Sequence, residues 1–325
     1  MNPPAIHFNR ITKVYQNRQV ALADVSFEVP LGATVGLLGA NGSGKSTAIG
    51  IALGLLTPSA GTVNVFGKRM SPGAKAVRQR LGFLSDDPSF PKDLNAIQYL
   101  DFVGRCFGLS RLEQKARMGT LLRTVGLTDD ASRRIGTYST GMKTRLGVAA
   151  SLMNHPQMLF WDEPTAGLDP ISRMQTLDLL EKFRGNKTVV LSSHILGDID
   201  RVCDRLIILN KGQLLFDGPR ADLENMLPHR LLDLRISSCP DAFLLGIKDR
   251  LNRRIFSQEP GRIRIELDAE DVVGEVVNGL LELARQHGVT VSGINSIGRQ
   301  LEDAYLKLIT EDEFRGFERV NTKSS

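Results

Sequence analysis

The stretch that decides the fold is Gly39-Ala40-Asn41-Gly42-Ser43-Gly44-Lys45-Ser46. It follows the apolar, strand-like run Thr34–Leu38 and precedes the helix-compatible segment Thr47–Leu53. A G-x-x-x-x-G-K-[ST] pattern between a strand and a helix is typical of a phosphate-binding loop, in which backbone N–H groups converge on phosphate oxygens at the positive end of the helix. We expect Lys45 to reach the terminal phosphates of a nucleotide and the Ser46 hydroxyl to ligate Mg²⁺.

Two carboxylates follow a second apolar strand. Asp162 and Glu163 come directly after Met158–Trp161, at the end of the strand where ligands bind in parallel α/β sheets. One carboxylate can join the coordination shell of Mg²⁺, and the other can polarise a water for in-line attack on a γ-phosphate. An acidic pair after a strand can also be no more than the start of a helix. The phosphate loop in the same chain favours the catalytic interpretation.

The composition is that of a globular protein. Hydrophobic residues make up 42% and charged residues 24% of the 325 residues, which excludes extensive disorder. No window approaches the roughly 18 consecutive apolar residues of a membrane-spanning helix, and the N-terminus lacks the pattern of a secretory signal. The formal net charge is +5, but basic and acidic residues are interspersed, so charge alone indicates no nucleic-acid partner. We expect a cytosolic chain that does not itself cross a bilayer.

The length suits two domains. From Ile6 to about residue 222, short apolar strands alternate with helical stretches, as in a mostly parallel sheet covered by helices. Helical periodicity replaces the strand signals between about residues 91 and 145 and predicts a helical insertion. We expect a boundary near residue 226, with residues 1–226 as the nucleotide domain. Residues 227–325 combine alternating apolar strands with an amphipathic helix and predict a small α+β domain.

Further motifs, in the right order, resemble those of the ATP-binding subunits of ABC transporters. Tyr138–Met142 resembles the family signature, and Ala166–Asp169 resembles its D-loop. His194 resembles the switch histidine at the end of its strand, and Tyr15 resembles the aromatic residue that stacks on adenine. Leu81–Asp86 lies where the family has its Q-loop. The resemblance extends over about two thirds of the chain.

This resemblance implies an α/β fold: a P-loop NTPase core of ABC type with a helical insertion, plus the small C-terminal α+β domain. It also implies a nucleotide sandwich in a homodimer, where Ser139 and the backbone of Gly141 contact the γ-phosphate bound to the other subunit. Glu163, His194 and Lys45 are the implied catalytic residues, with Glu163 acting on the attacking water. The implied cofactors are ATP and Mg²⁺. The residues expected to hold ATP are Tyr15, Gly39, Asn41, Gly42, Ser43, Gly44, Lys45, Ser46, Thr47, Asp86, Ser139, Gly141 and Asp162, and those expected to hold Mg²⁺ are Ser46, Asp86 and Asp162.

Three positions depart from the family pattern. Asp86 stands where the family has Gln or often Glu, and its short, acceptor-only side chain weakens the expected reach to Mg²⁺. Thr140 replaces the first glycine of the signature, and Met142 replaces its glutamine. We therefore expect a competent but slow ATPase. His194 and Tyr15 keep plainer alternatives, a solvent-facing histidine and a strand aromatic packed on its neighbours.

Three functions stay open from the sequence. Leu81–Leu84, the Tyr-Ser-x-Gly-Met motif and a short tail containing Leu301–Leu308 are similar to the bacterial type-two exporter subfamily. That similarity implies an energy-coupling subunit with a separate transmembrane permease, attached peripherally to the cytoplasmic face of the inner or plasma membrane, and no nucleic-acid partner. An importer subunit would favour a Gln in the Q-loop and a larger β-rich tail. A soluble ABC ATPase acting on ribosomes or DNA usually carries two such domains or a long coiled coil, whereas this chain has one phosphate loop and no heptad run. We favour the exporter.

Overall fold

The computed structural model describes residues 3–16, 18–226, 230–237, 240–249, 251–268, 270–297 and 301–321. The chain forms two compact units, Met1–Arg220 and Ala221–Ser325. The division falls a few residues before the boundary that the sequence predicts near residue 226. In the described part of the chain, none of the helices combines the length and apolar character needed to cross a membrane.

The first unit contains two sheets and the helices that cover them. Its strands are β1 (Ile6–Val14), β2 (Val20–Val29), β3 (Thr34–Leu38), β4 (Ala60–Val65), β5 (Lys68–Arg69), β6 (Leu81–Leu84), β7 (Met158–Asp162), β8 (Thr188–Ser193), β9 (Arg205–Asn210) and β10 (Gln213–Pro219). Its helices are α1 (Lys45–Ala52), α2 (Lys75–Arg78), α3 (Ala96–Cys106), α4 (Arg111–Thr124), α5 (Thr140–Ser151), α6 (Pro170–Glu181) and α7 (Leu196–Val202), and the short α8 (Arg220–Glu224) follows β10.

The larger sheet brings the predicted motifs to one edge. Its strand order is β10-β9-β3-β8-β7-β6, with parallel pairing except for β10, which pairs antiparallel with β9. Strands β3, β7 and β8 are buried along their whole length, which explains their unbroken apolar runs. Leu38 pairs with Ser193, and Asp162 pairs with Ser192. The phosphate loop, the two carboxylates and the predicted switch histidine therefore leave the sheet from adjacent strand ends.

The smaller sheet is antiparallel, in the order β2-β1-β4-β5, and packs on the larger one. Phe8 and Phe27 stack at 4.3 Å between ring centroids within this core, which also contains Ile49 of α1 and Phe160 of β7. Burying these side chains fixes α1, and with it the end of the phosphate loop, against the sheet.

The region predicted to be a helical insertion contains α3, α4 and the start of α5. Asn95 and Ser110 begin α3 and α4 with capping boxes. In each box the capping side chain accepts the backbone N–H of the third helical residue, and the backbone N–H of the capping residue donates to that residue's side chain. These two local signals define the helix starts without help from the rest of the fold.

The second unit is a four-stranded antiparallel sheet with helices. It contains β11 (Arg230–Ile236), α9 (Asp241–Asp249), β12 (Ile255–Glu259), β13 (Arg262–Leu267), α10 (Val273–Gln286), β14 (Val291–Ile297) and α11 (Leu301–Asn321), with the strand order β12-β13-β11-β14. Leu232, Ile263 and Leu280 belong to the apolar core that α9 and α10 share with the sheet. Arg264 of β13 pairs with Asp303 of α11, and both side chains are almost completely buried.

Candidate functional site

The phosphate loop is sterically committed to glycine at two positions. A Cβ on Gly39 would lie 2.3 Å from the Leu209 carbonyl oxygen. Gly44, with φ at +108°, would place a Cβ 2.6 Å from the Ala21 carbonyl oxygen. The loop can therefore curve tightly against β2 and β9 only with these glycines, which brings its backbone to the start of α1. The Gly212 N–H, in the turn between β9 and β10, donates to the Ser43 carbonyl at 3.1 Å and holds the loop against this turn.

Lys45 is held at the loop rather than in solvent. Its side chain is largely buried, and Nζ donates to the carbonyl oxygens of Gly39 at 2.7 Å and Ala40 at 3.2 Å. The ammonium group is therefore already inside the curve of the loop, at the positive end of α1.

A groove of about 200 Å³ runs along this loop, and most of the predicted site residues line it. The predicted residues that line it come from four separate segments of the chain. They are Tyr15, Asn41, Gly42, Gly44, Lys45, Ser46, Thr47, Asp86, Asp162 and Glu163, and they are joined by Gln19 and Ala21 of the β1–β2 region. Among the described residues that line the groove, Gly39, Ser43, Ser139, Gly141 and His194 do not occur. Gly39 and Ser43 instead form the base of the loop.

Tyr15 stands at the rim of the groove with 38% of its surface exposed. Its hydroxyl lies 3.3 Å from Thr47 Oγ1, and the ammonium of Lys13 lies 5.2 Å from its ring centroid. Both contacts hold the ring at the rim of the groove, beside the start of α1.

Ser192 of the neighbouring strand forms hydrogen bonds with both Asp162 and Glu163. The buried Ser192 hydroxyl donates to Asp162 Oδ1, and it accepts the Glu163 N–H at 3.0 Å. Glu163 itself has φ at +48°, a left-handed conformation that is uncommon and costly for a residue with a side chain. The hydrogen bonds from Ser192 hold this turn, which directs the two neighbouring carboxylates into one groove.

The Glu163 carboxylate also contacts the predicted switch histidine. Oε2 lies 2.7 Å from His194 Nδ1 and accepts the His194 backbone N–H at 3.3 Å. Glu163 is mostly buried, whereas His194 is exposed. A carboxylate oriented in this way, beside a phosphate-binding loop, can accept a proton from a water that attacks a phosphate.

Asp86 lies at the groove, at the end of the β6 segment. Its Oδ1 accepts hydrogen bonds from Ser85 Oγ at 3.0 Å and from the Asp87 N–H at 2.9 Å. The carboxylate is therefore oriented by its own turn, and it faces the same groove as Ser46 and Asp162.

The described residues contain no cluster of three or more His, Cys, Asp or Glu side chains that could bind a metal ion without a ligand. Magnesium usually takes one or two carboxylates plus substrate phosphates rather than an all-protein cage. The oxygen donors of Ser46 and Asp162 on one groove fit this mode of binding.

The signature and D-loop residues cap two helices away from the groove. Ser139 precedes α5, and its Oγ accepts the Met142 N–H at 3.2 Å. Asp169 precedes α6, and its Oδ1 accepts the N–H groups of Ile171 and Ser172. The hydrogen bond from Ser172 is the main cause that lowers the pKa of the Asp169 carboxyl below its usual value. Ser139 is exposed, so a second molecule can reach it.

The sequence reasoning missed Gln19, Ala21 and Ser192. Gln19 and Ala21 line the groove without belonging to a motif, and only the fold brings them there. For Ser192 a signal exists: two serines and a histidine end an otherwise apolar buried strand. Polar residues at the carboxyl end of a parallel strand are where a ligand site is expected.

Comparison with known proteins gives the family of the chain. A family model described as ABC transporter matches residues 22–166. The linearmycin resistance ATP-binding protein LnrL of Bacillus subtilis is 31% identical over 300 residues, which cover 92% of this chain and 96% of that protein. The Nod factor export ATP-binding protein I of Cupriavidus pinatubonensis is 32% identical over 306 residues, which cover 93% and 90%. A solved ATP-binding subunit of an ABC transporter is 29% identical and covers 68% of this chain and 92% of its own, with a TM-score of 0.63.

The chain belongs to the family of ABC transporter ATP-binding proteins. Its fold is the ABC type of the α/β P-loop NTPases. Its activity class is that of the ATP-binding cassettes, which bind and hydrolyse ATP. Both were predicted from the sequence and are confirmed. A solved ATP-binding cassette that is 24% identical to this chain, with a TM-score of 0.61, is described as dimeric.

Proposed function

We propose that this chain is the ATP-hydrolysing, energy-coupling subunit of an exporter whose membrane-spanning permease is a separate chain. The observation that carries this proposal is the groove that unites the phosphate loop with Asp162 and Glu163, with Glu163 in contact with His194. The direction of transport is supported by relatives named for resistance and export, which match over more than nine tenths of this chain, including its tail.

ATP binding would use the loop and the rim of the groove. Adenine would stack on Tyr15, and the triphosphate would lie along the N–H groups of Gly39–Thr47, with Lys45 at its end. Ser46 and Asp162 would hold Mg²⁺, with Asp86 able to join them. When bound, the ion would neutralise charge on the β- and γ-phosphates.

Hydrolysis would depend on the pair of Glu163 and His194. The Glu163 carboxylate would accept the proton of the attacking water, or orient the water, because it faces the groove beside the loop. The imidazole of His194, 2.7 Å away, keeps this carboxylate in one orientation.

A second copy of the chain would complete the site. Ser139 is exposed at the start of α5, and a Cβ on Gly141 would meet nothing in this chain closer than 3.5 Å. The fold of one copy therefore does not require glycine at position 141. Close approach of a γ-phosphate held by the partner copy supplies a reason for it, with the N-terminal end of α5 pointing at the anion.

The permease would dock in an apolar groove of about 400 Å³ that residues of β6 help to line. Its apolar lining includes Leu53, Leu55, Leu81, Phe83, Tyr99 and Phe107. Phe83 and Leu55 expose 39% and 62% of their surface. Exposed apolar side chains that lie together in one groove are typical of an interaction site. Because Phe83 lies three residues before Asp86, a segment seated here would act on the nucleotide groove through β6. Docking would keep the chain at the cytoplasmic face of the membrane.

The tail would stabilise or regulate the ATP-bound dimer rather than take part in chemistry. We retain the predicted boundary near residue 226, with the nucleotide domain before it and the accessory domain at 227–325. Every residue assigned to the nucleotide lies before this boundary.

The experiment is co-expression with the membrane protein encoded beside this chain's gene. We expect copurification and an ATPase activity that rises when the permease is present. Phe83→Asp should abolish copurification while leaving the ATP affinity of the isolated chain unchanged. Leu112→Asp is the matched control, since Leu112 is 82% exposed on α4 and outside the groove. Equal copurification of both variants would refute the docking surface.

A further inference from the structure

Asp198 is a buried carboxylate to which the mechanism above assigns no part. It lies in the first turn of α7 and is 1% exposed. Its Oδ2 accepts the hydroxyl of Thr165 at 2.6 Å, and its Oδ1 accepts Nε of Arg173 at 2.7 Å. A buried carboxylate is tolerated only when it is paired and hydrogen-bonded, so these contacts define one arrangement rather than several.

The three residues come from the two segments that form the catalytic pair. Thr165 lies two residues after Glu163, and Arg173 lies on α6, directly beyond the D-loop. Asp198 lies four residues after His194. One buried carboxylate thus joins the segment that leaves β7 to the segment that leaves β8.

Glu163 needs such support because of its backbone. Its left-handed conformation, with φ at +48°, persists only where neighbouring contacts fix it. Ser192 supplies one contact at the Glu163 N–H. Beyond Glu163, the next side chain anchored to the β8 segment is that of Thr165, which is itself buried.

We propose that Asp198 is a positioning residue, which clamps the turn after β7 onto α7 through Thr165 and Arg173 and so keeps the Glu163 carboxylate against His194. This inference rests on the proposed catalytic role of Glu163. Asp198 acts through the other residues and does not touch the nucleotide groove. Its hydrogen bonds are of the charge-assisted kind, which combine strength with defined geometry.

The test uses the full chain with Thr165→Val and Thr165→Ser. Valine keeps the volume and removes the hydroxyl donor, whereas serine keeps the donor. We expect Thr165→Val to lower kcat about tenfold, which corresponds to about 1.4 kcal/mol of barrier, with ATP affinity changed less than about twofold. Thr165→Ser should retain most of kcat. Equal kcat for Thr165→Val and wild type, per folded molecule, would overturn the inference.

Asp217→Asn is the matched control for loss of a carboxylate paired with arginine. Asp217 pairs with Arg205 at 2.7 Å in the β9–β10 hairpin, within the same unit. We expect Asp198→Asn to lower kcat and Asp217→Asn to leave it unchanged, although both lose stability. A parallel fall of kcat in both variants would mean that Asp198 is only structural. The two threonine variants decide the question if Asp198→Asn does not fold.

Glu163→Gln separates this inference from the proposed function. In single-turnover assays, adding Thr165→Val to Glu163→Gln should cause no further loss, because the group being positioned has already been disabled. Normal turnover of Glu163→Gln would refute the proposed catalytic site. A slow Glu163→Gln together with a normal Thr165→Val would refute only the positioning role.

Discussion

Ser192→Ala is the most direct probe of how the strand ends organise the site. The hydroxyl is completely buried, donates to Asp162 Oδ1 and accepts the Glu163 N–H. The Glu163 N–H keeps a second acceptor, the Ser192 carbonyl at 3.2 Å. The main loss is therefore the hydrogen bond that Asp162 accepts from the Ser192 hydroxyl. Loss of a hydrogen bond to a buried charged group costs about 1.5–3 kcal/mol of unfolding free energy. For a unit of this size that corresponds to a fall in Tm of about 3–12 °C.

The functional effect of Ser192→Ala should appear in the magnesium dependence. Removing a hydrogen-bond partner of a metal-ligating carboxylate typically weakens metal affinity about 10–100-fold. We therefore expect the free Mg²⁺ concentration for half-maximal ATPase activity to rise by about that factor, with activity partly recovered at high Mg²⁺. The assay is an ATPase titration against free Mg²⁺ at saturating ATP, with Tm measured on the same samples.

Ser193→Ala is the matched control, because Ser193 is equally buried on the same strand. Its hydroxyl accepts the Ile195 N–H at 3.0 Å instead of contacting Asp162. We expect Ser193→Ala to lower Tm without changing the half-saturating Mg²⁺ concentration. If both variants require the same Mg²⁺ concentration as wild type, Ser192 does not orient a metal ligand and the reasoning is wrong.

Four further outcomes are expected. Glu163→Gln should lower ATP turnover about 10²–10⁴-fold with ATP binding intact, and gel filtration with ATP should then reveal a dimer; near-normal turnover would contradict the assignment. Lys45→Ala should weaken ATP affinity itself, measured by equilibrium binding, because it removes a cation from the phosphate site. Asp86→Gln should preserve or raise ATPase activity and Asp86→Ala should reduce it, whereas identical rates would place Asp86 outside the site. Deleting residues 227–325 should leave a folded protein that binds ATP but dimerises or couples to the permease more weakly, so loss of ATP binding in a folded truncation would contradict the boundary.

The fold of the first unit was readable because its signals are local. The glycines at 39 and 44 stand where a Cβ would collide with backbone carbonyls, and the short apolar runs in β3 and β7 are typical of buried strands. The antiparallel sheet of β1, β2, β4 and β5 was not predicted separately. Strand β1 pairs with the distant β4, and its pairings with β2 and β4 both contain register shifts, for which a single sequence contains no signal.

Site residues that belong to a sequence motif were predicted, whereas residues that only the fold brings to the site were missed. The loop, Asp162 and Glu163 were found from spacing, and the fold brings them to one groove. Ser192 and Asp198 escaped because a serine in a strand and an acid at a helix start are ordinary in isolation. Their importance depends on which atoms lie 3 Å away, and that distance is set by the parallel pairing of β7 with β8.

Through these contacts, β8 and the segment after it hold the turn after β7 that contains Glu163. From this one segment, Ser192 contacts Asp162 and the Glu163 backbone, His194 contacts the Glu163 carboxylate, and Asp198 holds Thr165. The segment predicted to be the D-loop begins directly after Thr165. In the proposed dimer, a second copy that pressed on this segment would strain the same hydrogen bonds that orient Glu163. Because those bonds end on buried carboxylates, a small displacement costs more there than at an exposed contact. Under the proposed function, hydrolysis would therefore depend on closure of the dimer without any partner side chain touching Glu163.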